Sequence, residues 1–207
     1  LNDRTSVEAG EPIGVNVERD EIVFFALLYW PVRDDAAVPS ADALARIDAY
    51  MKNGGTIFFD LRENGTDALT GNTSAAAESL RRMLAKLDIP ALEPVPAEHV
   101  LTKAFYLMQT FPGRYDQGAL WVERADTQGT SAGNADGVSS IIIGSNDYAG
   151  AWAMDPNGEP LYAVIPGTNR QREMAFRAGI NIVMYALTGN YKADQVHVPA
   201  LLERLGQ

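Results

Sequence analysis

Asp60, His99 and Asp147 are the side chains whose types could carry acid–base or metal-assisted hydrolysis in this sequence. Asp60 closes Asn53-Gly-Gly-Thr-Ile-Phe-Phe-Asp60, a glycine stop followed by a wholly apolar strand, and Arg62 and Glu63 come directly after it. In open parallel sheets ligands bind outside the carboxyl ends of the strands, and Asp60 is the first polar group delivered there. His99 is one of two histidines, and a histidine oriented by a carboxylate is the usual form of a general base. Asn146 and Asp147 follow the apolar run Ile141-Ile-Ile-Gly144 and so also project from a strand end. If that strand is a parallel neighbour of the Asp60 strand, Asp60, Asn146 and Asp147 share one crevice; if it is antiparallel, they lie at opposite ends.

Each of these residues has a structural alternative. Asp60 can cap its own loop or pair with Arg62, His99 can bond backbone after a proline-rich stretch, and Asn146-Asp147 can form an Asx turn capping a short helix at Tyr148. Arg170 and Arg172 fall in the first turn of a long helix, where cations oppose the helix dipole at about 0.3–1 kcal/mol each. They require either a carboxylate partner such as Asp60 or Asp147, the favoured reading, or a bound anion. His197, near Asp194, reads as structural.

Other chemistries are excluded or unsupported. Asp60, His99 and Asp147 would make an oxygen and nitrogen ligand set, but no short-range metal spacing exists, so no metal and no cofactor is assigned. Glycine-rich phosphate loops are absent, and Gly144-Ser-Asn146 lacks the second glycine of a nucleophile elbow. With no cysteine in the chain, disulfides and thiol nucleophiles are ruled out. A net charge of -10 and a pI near 4.6 argue against nucleic acid or anionic membrane as partners.

The elements that must position these groups are legible from periodicity. Strands are expected at Glu21–Trp30, Thr56–Phe59, Leu120–Glu123 and Val138–Gly144, and helices at Ala41–Lys52, with Ser40 as N-cap, and at Ser74–Leu87. A polar loop spans Leu61–Asn72, an extended proline-rich segment Asp88–Glu98, and a short helix is expected within His99–Gln109. The Gly-, Ser- and Asn-rich stretch Asp126–Gly137 reads as a mobile loop. Ala151–Asp155 and Leu161–Ile165 flank an Asn-Gly turn and suggest an edge hairpin; a long helix, Arg170–Leu187, closes at Gly189, and a short one follows at Ala200–Leu205. Strand and helix alternate at the start, which predicts a right-handed, mostly parallel core within a single domain, residues 1–207. The longest apolar run, Ile22–Trp30, is far short of the ~20 residues a membrane span needs. The chain begins at Leu1 without a signal-peptide pattern, as expected of a fragment of something longer.

Leu28-Tyr-Trp-Pro31, Asn53–Asp60, His99-Val-Leu-Thr-Lys-Ala-Phe-Tyr106, Ile143-Gly-Ser-Asn-Asp147 with Trp152, and Gly179-Ile-Asn-Ile-Val-Met-Tyr-Ala186 together resemble the bacterial domain-of-unknown-function family DUF4159. The resemblance implies a flavodoxin-like three-layer α/β sandwich similar to class I glutamine amidotransferases, and a place in a larger, membrane-anchored cell-envelope protein. The amidotransferase mechanism requires a cysteine nucleophile, so the resemblance transfers architecture without that chemistry. The expected role is then a pseudoenzyme-like module that binds an unknown small molecule or protein, with Asp60, Arg62, His99, Asn146, Asp147, Trp152 and Arg170 as candidate ligand-binding residues. The alternative is a hydrolase using Asp60, His99 and Asp147, which requires those three around one pocket. A third reading, an assembly interface, requires Tyr29, Trp30 and Trp152 to form one exposed patch.

Overall fold

The computed structural model describes residues 1–63, 73–124 and 138–205, with side chains through Thr188. The part of the polar loop from Asn64 to Asn72, the Asp126–Gly137 loop, and the side chains of Asp194 and His197 lie outside the described residues. Five strands, β1 (Leu27–Pro31), β2 (Thr56–Asp60), β3 (Leu92–Pro94), β4 (Trp121–Glu123) and β5 (Ile141–Gly144), form one sheet in the order β1-β2-β5-β4-β3. β1, β2 and β5 run parallel, whereas β4 is antiparallel to β5 and β3 is antiparallel to β4. The sheet is therefore mixed, not mostly parallel. After the second helix the proline-rich segment supplies the edge strand β3 at the far side of the sheet, with β4 running antiparallel between β3 and β5; Pro94 is tolerated in β3 because an edge position leaves its missing N–H unneeded.

Helices α1 (Ala41–Lys52), α2 (Ala75–Leu84), α3 (Tyr148–Trp152) and α4 (Asn169–Leu205) cover both faces. Strand alternation divides β2 between two cores. Ile57 and Phe59 pack with Ile47, Met51, Leu80 and Met83 of α1 and α2 on one side. Phe58 packs with Tyr148, Ala178, Ile182 and Tyr185 of α3 and α4 on the other. Burial on both faces explains why β2 reads as an unbroken apolar run rather than an alternating one. Ser40 and Ser74 cap α1 and α2 through their hydroxyls, which accept from Ala43 N–H and Ala77 N–H.

The two glycines after α1 have separate reasons. Gly54 adopts a left-handed φ of 90°. At Gly55 a Cβ would lie 2.2 Å from the Tyr50 ring, whose hydroxyl donates to the Thr56 carbonyl at 3.1 Å. Gly55→Ala is accordingly expected to lower stability by about 1–3 kcal/mol, the usual range for forced overpacking, read as a shift in urea midpoint at unchanged slope.

Four elements depart from the sequence reading. The run from Glu21 splits into a 3-10 turn, Ile22–Phe24, and β1, so its apolar residues serve two elements. The segment 151–165 is no hairpin of the sheet: α3 takes its start, and a single antiparallel bridge joins Met154 to Pro160. Pro156, Pro160 and Pro166 remove the donors a ladder would need. The long helix passes Gly189 and absorbs the expected helix at Ala200–Leu205; an isolated glycine costs a helix only about 1 kcal/mol relative to alanine and does not by itself end it. The short helix expected after His99 is a 3-10 turn, Val100–Lys103.

Candidate functional site

The parallel register Pro31↔Asp60 and Asp60↔Gly144 brings the ends of β1, β2 and β5 to one edge. Asp60 and Asp147 are thereby placed at the same end of the sheet, as the parallel alternative requires. Asp60 itself is 0 % exposed. Its Oδ2 accepts from the Tyr29 hydroxyl at 2.8 Å and from Tyr148 N–H at 2.7 Å, and its Oδ1 accepts from Arg62 N–H at 3.1 Å. Burial, aided by the nearby Asp147 charge, raises its pKa above the ordinary carboxylate value, while the three donors oppose that shift. The same burial, together with the Asp60 charge, drives the Tyr29 and Tyr148 hydroxyls upward, so both stay protonated and act as donors. Asp60 is thus a brace: one buried carboxylate fastens the turn after β2 to the turn after β5.

Two residues held by that brace carry left-handed backbone, Arg62 at φ 53° and Asp147 at φ 52°. Neither is glycine, and such conformations cost on the order of 1–3 kcal/mol each unless the surroundings enforce them. Here the enforcement is the pair of bonds from Asp60 to Arg62 N–H and Tyr148 N–H. Asp147 caps α3 by accepting from Gly150 N–H at 3.2 Å, and a Cβ at Gly150 would lie 2.4 Å from that carboxylate. Facing Asp147 is Arg114, whose Nη1 stands 3.4 Å from Oδ2. The Arg114 Nε donates to Ala163 O at 3.2 Å, and its guanidinium rests over both the Tyr115 and the Tyr162 ring, 5.4 and 5.2 Å from their centroids.

Over this floor opens a cleft of about 730 Å³, with Arg33, Arg62, Arg114, Asp34, Asp35 and Asp147 as its charged lining and Tyr162 at its rim. Arg62 donates to Val32 O at 3.2 Å, and among the described residues no carboxylate comes within 4 Å of its guanidinium.

Several candidates fall elsewhere. His99 accepts from Leu101 N–H through Nδ1 at 3.2 Å, and its ring packs 5.5 Å from that of Tyr185. Tyr185 in turn accepts from Ser139 N–H, just before β5 begins. Ser139 and Gly144 lie about 16 Å apart along an extended chain, so His99 belongs to the opposite end of the sheet from Asp60. Burial lowers its pKa, which keeps it neutral. The hydrolase set of Asp60, His99 and Asp147 is therefore not assembled around one pocket.

Asn146 is 1 % exposed and saturated: Nδ2 donates to Phe111 O and Gly118 O at 3.1 and 2.9 Å, and Oδ1 accepts from Gly118 N–H at 2.8 Å. It clamps the 111–118 loop that carries Arg114 and offers no free group to a ligand. Trp152 donates to Ala175 O at 2.8 Å and packs on Tyr29 and Tyr148, its ring filling the space left by Gly179. Tyr29, Trp30 and Trp152 are all partly buried, Trp30 against Phe59, so the exposed aromatic patch does not form. Among the described residues Arg172 pairs with no carboxylate; it donates to Ala151 O at 2.7 Å and to Tyr162 O, so backbone carbonyls offset its unfavourable place in the helix. Arg170 is exposed at the start of α4, and among the described residues it has no carboxylate partner.

Arg114, Tyr162 and Tyr148 join the site without being candidates of the sequence reading, and Tyr29, expected there only in an exposed aromatic patch, serves instead as a donor to Asp60. Arg114 lies in an irregular segment in which periodicity is silent, and Tyr162 in the apolar run that reads as a hairpin arm; the available signal is a cation beside aromatics in Phe111-Pro-Gly-Arg-Tyr115 and Pro160-Leu-Tyr162.

Among the described residues, no three His, Asp or Glu side chains converge as a metal would need, and no described helix is long and apolar enough to cross a membrane. The chain is an α/β domain with a mixed sheet and an open polar cleft at the carboxyl ends of its parallel strands. It belongs to the family described as Domain of unknown function (DUF4159), whose model matches residues 1–187. No curated protein matches the sequence.

Proposed function

We propose that this domain is a non-catalytic binding module whose cleft over Asp60 receives a small ligand, within a larger bacterial envelope-associated protein. The observation that carries the reading is the cleft itself: about 730 Å³, polar, and set where parallel strands end. Asp60, the buried acid beneath it, is spent on positioning the two walls and is closed to solvent. The resemblance to class I glutamine amidotransferases supports the fold half of this reading, with the parallel trio β1-β2-β5 and helices on both faces as its counterpart here. The absence of cysteine removes the amidotransferase nucleophile. The tether to a membrane-anchored parent rests on that resemblance alone.

A thermal-shift screen of metabolites against the wild type and Ala153→Trp tests the site. Ala153 lines the cleft and is only partly buried, so an indole there fills the cleft from its wall. Compounds that raise the wild-type midpoint by ligand linkage are expected to lose their effect in the variant. Hits that stabilise both proteins equally would place the site elsewhere.

A further inference from the structure

We infer that the ligand of this cleft presents an oxyanion, a carboxylate or a phosphate, to Arg62 and Arg114; the inference rests on the binding-module reading above. The cleft draws three arginines into a chain whose net charge is -10. They are not equivalent. Arg33 is chelated by Asp35 through two bonds, at 3.0 and 3.1 Å, which satisfies its fork within one exposed pair. Arg62 and Arg114 are oriented differently, by backbone carbonyls: Val32 O for Arg62 and Ala163 O for Arg114. A carbonyl fixes the direction of a guanidinium without cancelling its charge.

Both are also held in place before any ligand arrives. The Arg62 backbone is pinned in the left-handed region by Asp60, and the Arg114 guanidinium rests over both the Tyr115 and the Tyr162 ring. Arg114 does meet Asp147, but at 3.4 Å, long for a charge-assisted bond, which ordinarily closes to about 2.7–2.9 Å. Guanidinium forks match the planar edge of a carboxylate or phosphate, and prepositioning reduces the ordering cost of binding. Asp34 and Asp147 on the same walls oppose a bare polyanion. They favour an organic molecule that carries one oxyanion group together with hydroxyl or amine donors.

Amide chemical-shift titrations of the chain with glycerol 3-phosphate and with glycerate, each a single oxyanion group beside hydroxyl donors, in wild type, Arg62→Gln and Arg114→Gln, test this directly. Arg62 is exposed, so Arg62→Gln is expected to keep the wild-type fold, checked by its unperturbed core amides. At least one anion is expected to shift amides flanking Arg62 and Arg114, with affinity at least about tenfold weaker in each variant. Which of the two anions binds more tightly decides between a phosphate and a carboxylate ligand. Equal binding by all three proteins, or shifts confined to other surfaces, overturns the inference. If neither anion binds but an uncharged compound stabilises wild type and not Ala153→Trp, the oxyanion class falls while the cleft reading stands. If no compound of either kind depends on Ala153, both fall.

Discussion

Asp60→Ala is expected to destabilise the domain by about 3 kcal/mol or more, because it strands three buried or half-buried donors at once. The Tyr29 hydroxyl, Tyr148 N–H and Arg62 N–H all lose their acceptor, and each orphaned donor costs about 1–3 kcal/mol. The left-handed backbone at Arg62 loses its enforcement in the same step. Asp60→Asn is the milder and more informative change, since its amide can replace one oxygen but turns a donor toward the other partner. The pH dependence carries a sign that can be checked. Burial raises the Asp60 pKa above 3.8, so the folded state holds this proton more tightly than the unfolded one. Stability from this group is complete below the unfolded value and declines as pH rises through the folded one. The margin of wild type over Asp60→Asn should therefore widen as pH falls from neutrality toward about 4. Urea midpoints across that interval decide it; a margin that narrows on acidification would mean the carboxylate is favoured in its charged form and its folded pKa is depressed.

Asn146→Ala is expected to cost about 2–4 kcal/mol and to loosen the wall that carries Arg114. The side chain makes three bonds to Phe111 and Gly118 from a site 1 % exposed, and alanine leaves the Gly118 carbonyl and N–H unpaired while the Phe111 carbonyl keeps only the Tyr148 hydroxyl. Asn146→Asp should be worse still, because a carboxylate would face the Phe111 and Gly118 carbonyls where an amide now donates. Hydrogen exchange over residues 111–118 reports the local effect: faster exchange there, with α1 and β2 amides little changed, is expected. A stability loss under about 1 kcal/mol, with unaltered exchange, would show that the clamp contributes little.

Much of this architecture could be read from residue order alone, and the reasons it could are specific. Ser40 and Ser74, each followed by a periodic apolar face, located α1 and α2, and Thr56–Asp60, apolar throughout, marked a strand covered on both sides. The Asp60 and Asp147 strand ends were singled out, and the parallel register puts them together. Strand direction is not legible for β3 and β4, because strands of three residues, β3 among prolines and β4 without a helix before or after it to set its course, carry no directional signal. His99 misled for a related reason: a histidine after a proline-rich stretch looks the same whether it serves a reactive centre or, as here, caps a 3-10 turn at the far end of the sheet. Arg114 carries no sequence signal because its place is set by Asn146, which draws in a loop whose anchor points, Gly118 and Phe111, lie 28 and 35 residues away.

Since the side chains of Arg62 and Arg114 reach the cleft from a floor that neither of them builds, the foundation and the recognition surface answer to different residues. Asp60 and Asn146 are answerable to folding, whereas the two guanidiniums can be exchanged with little disturbance beneath them. On the proposed reading, chains sharing this base can diverge in what they capture through one or two rim substitutions, and a change of preference in a relative is to be sought at the positions of Arg62 and Arg114 before anywhere deeper.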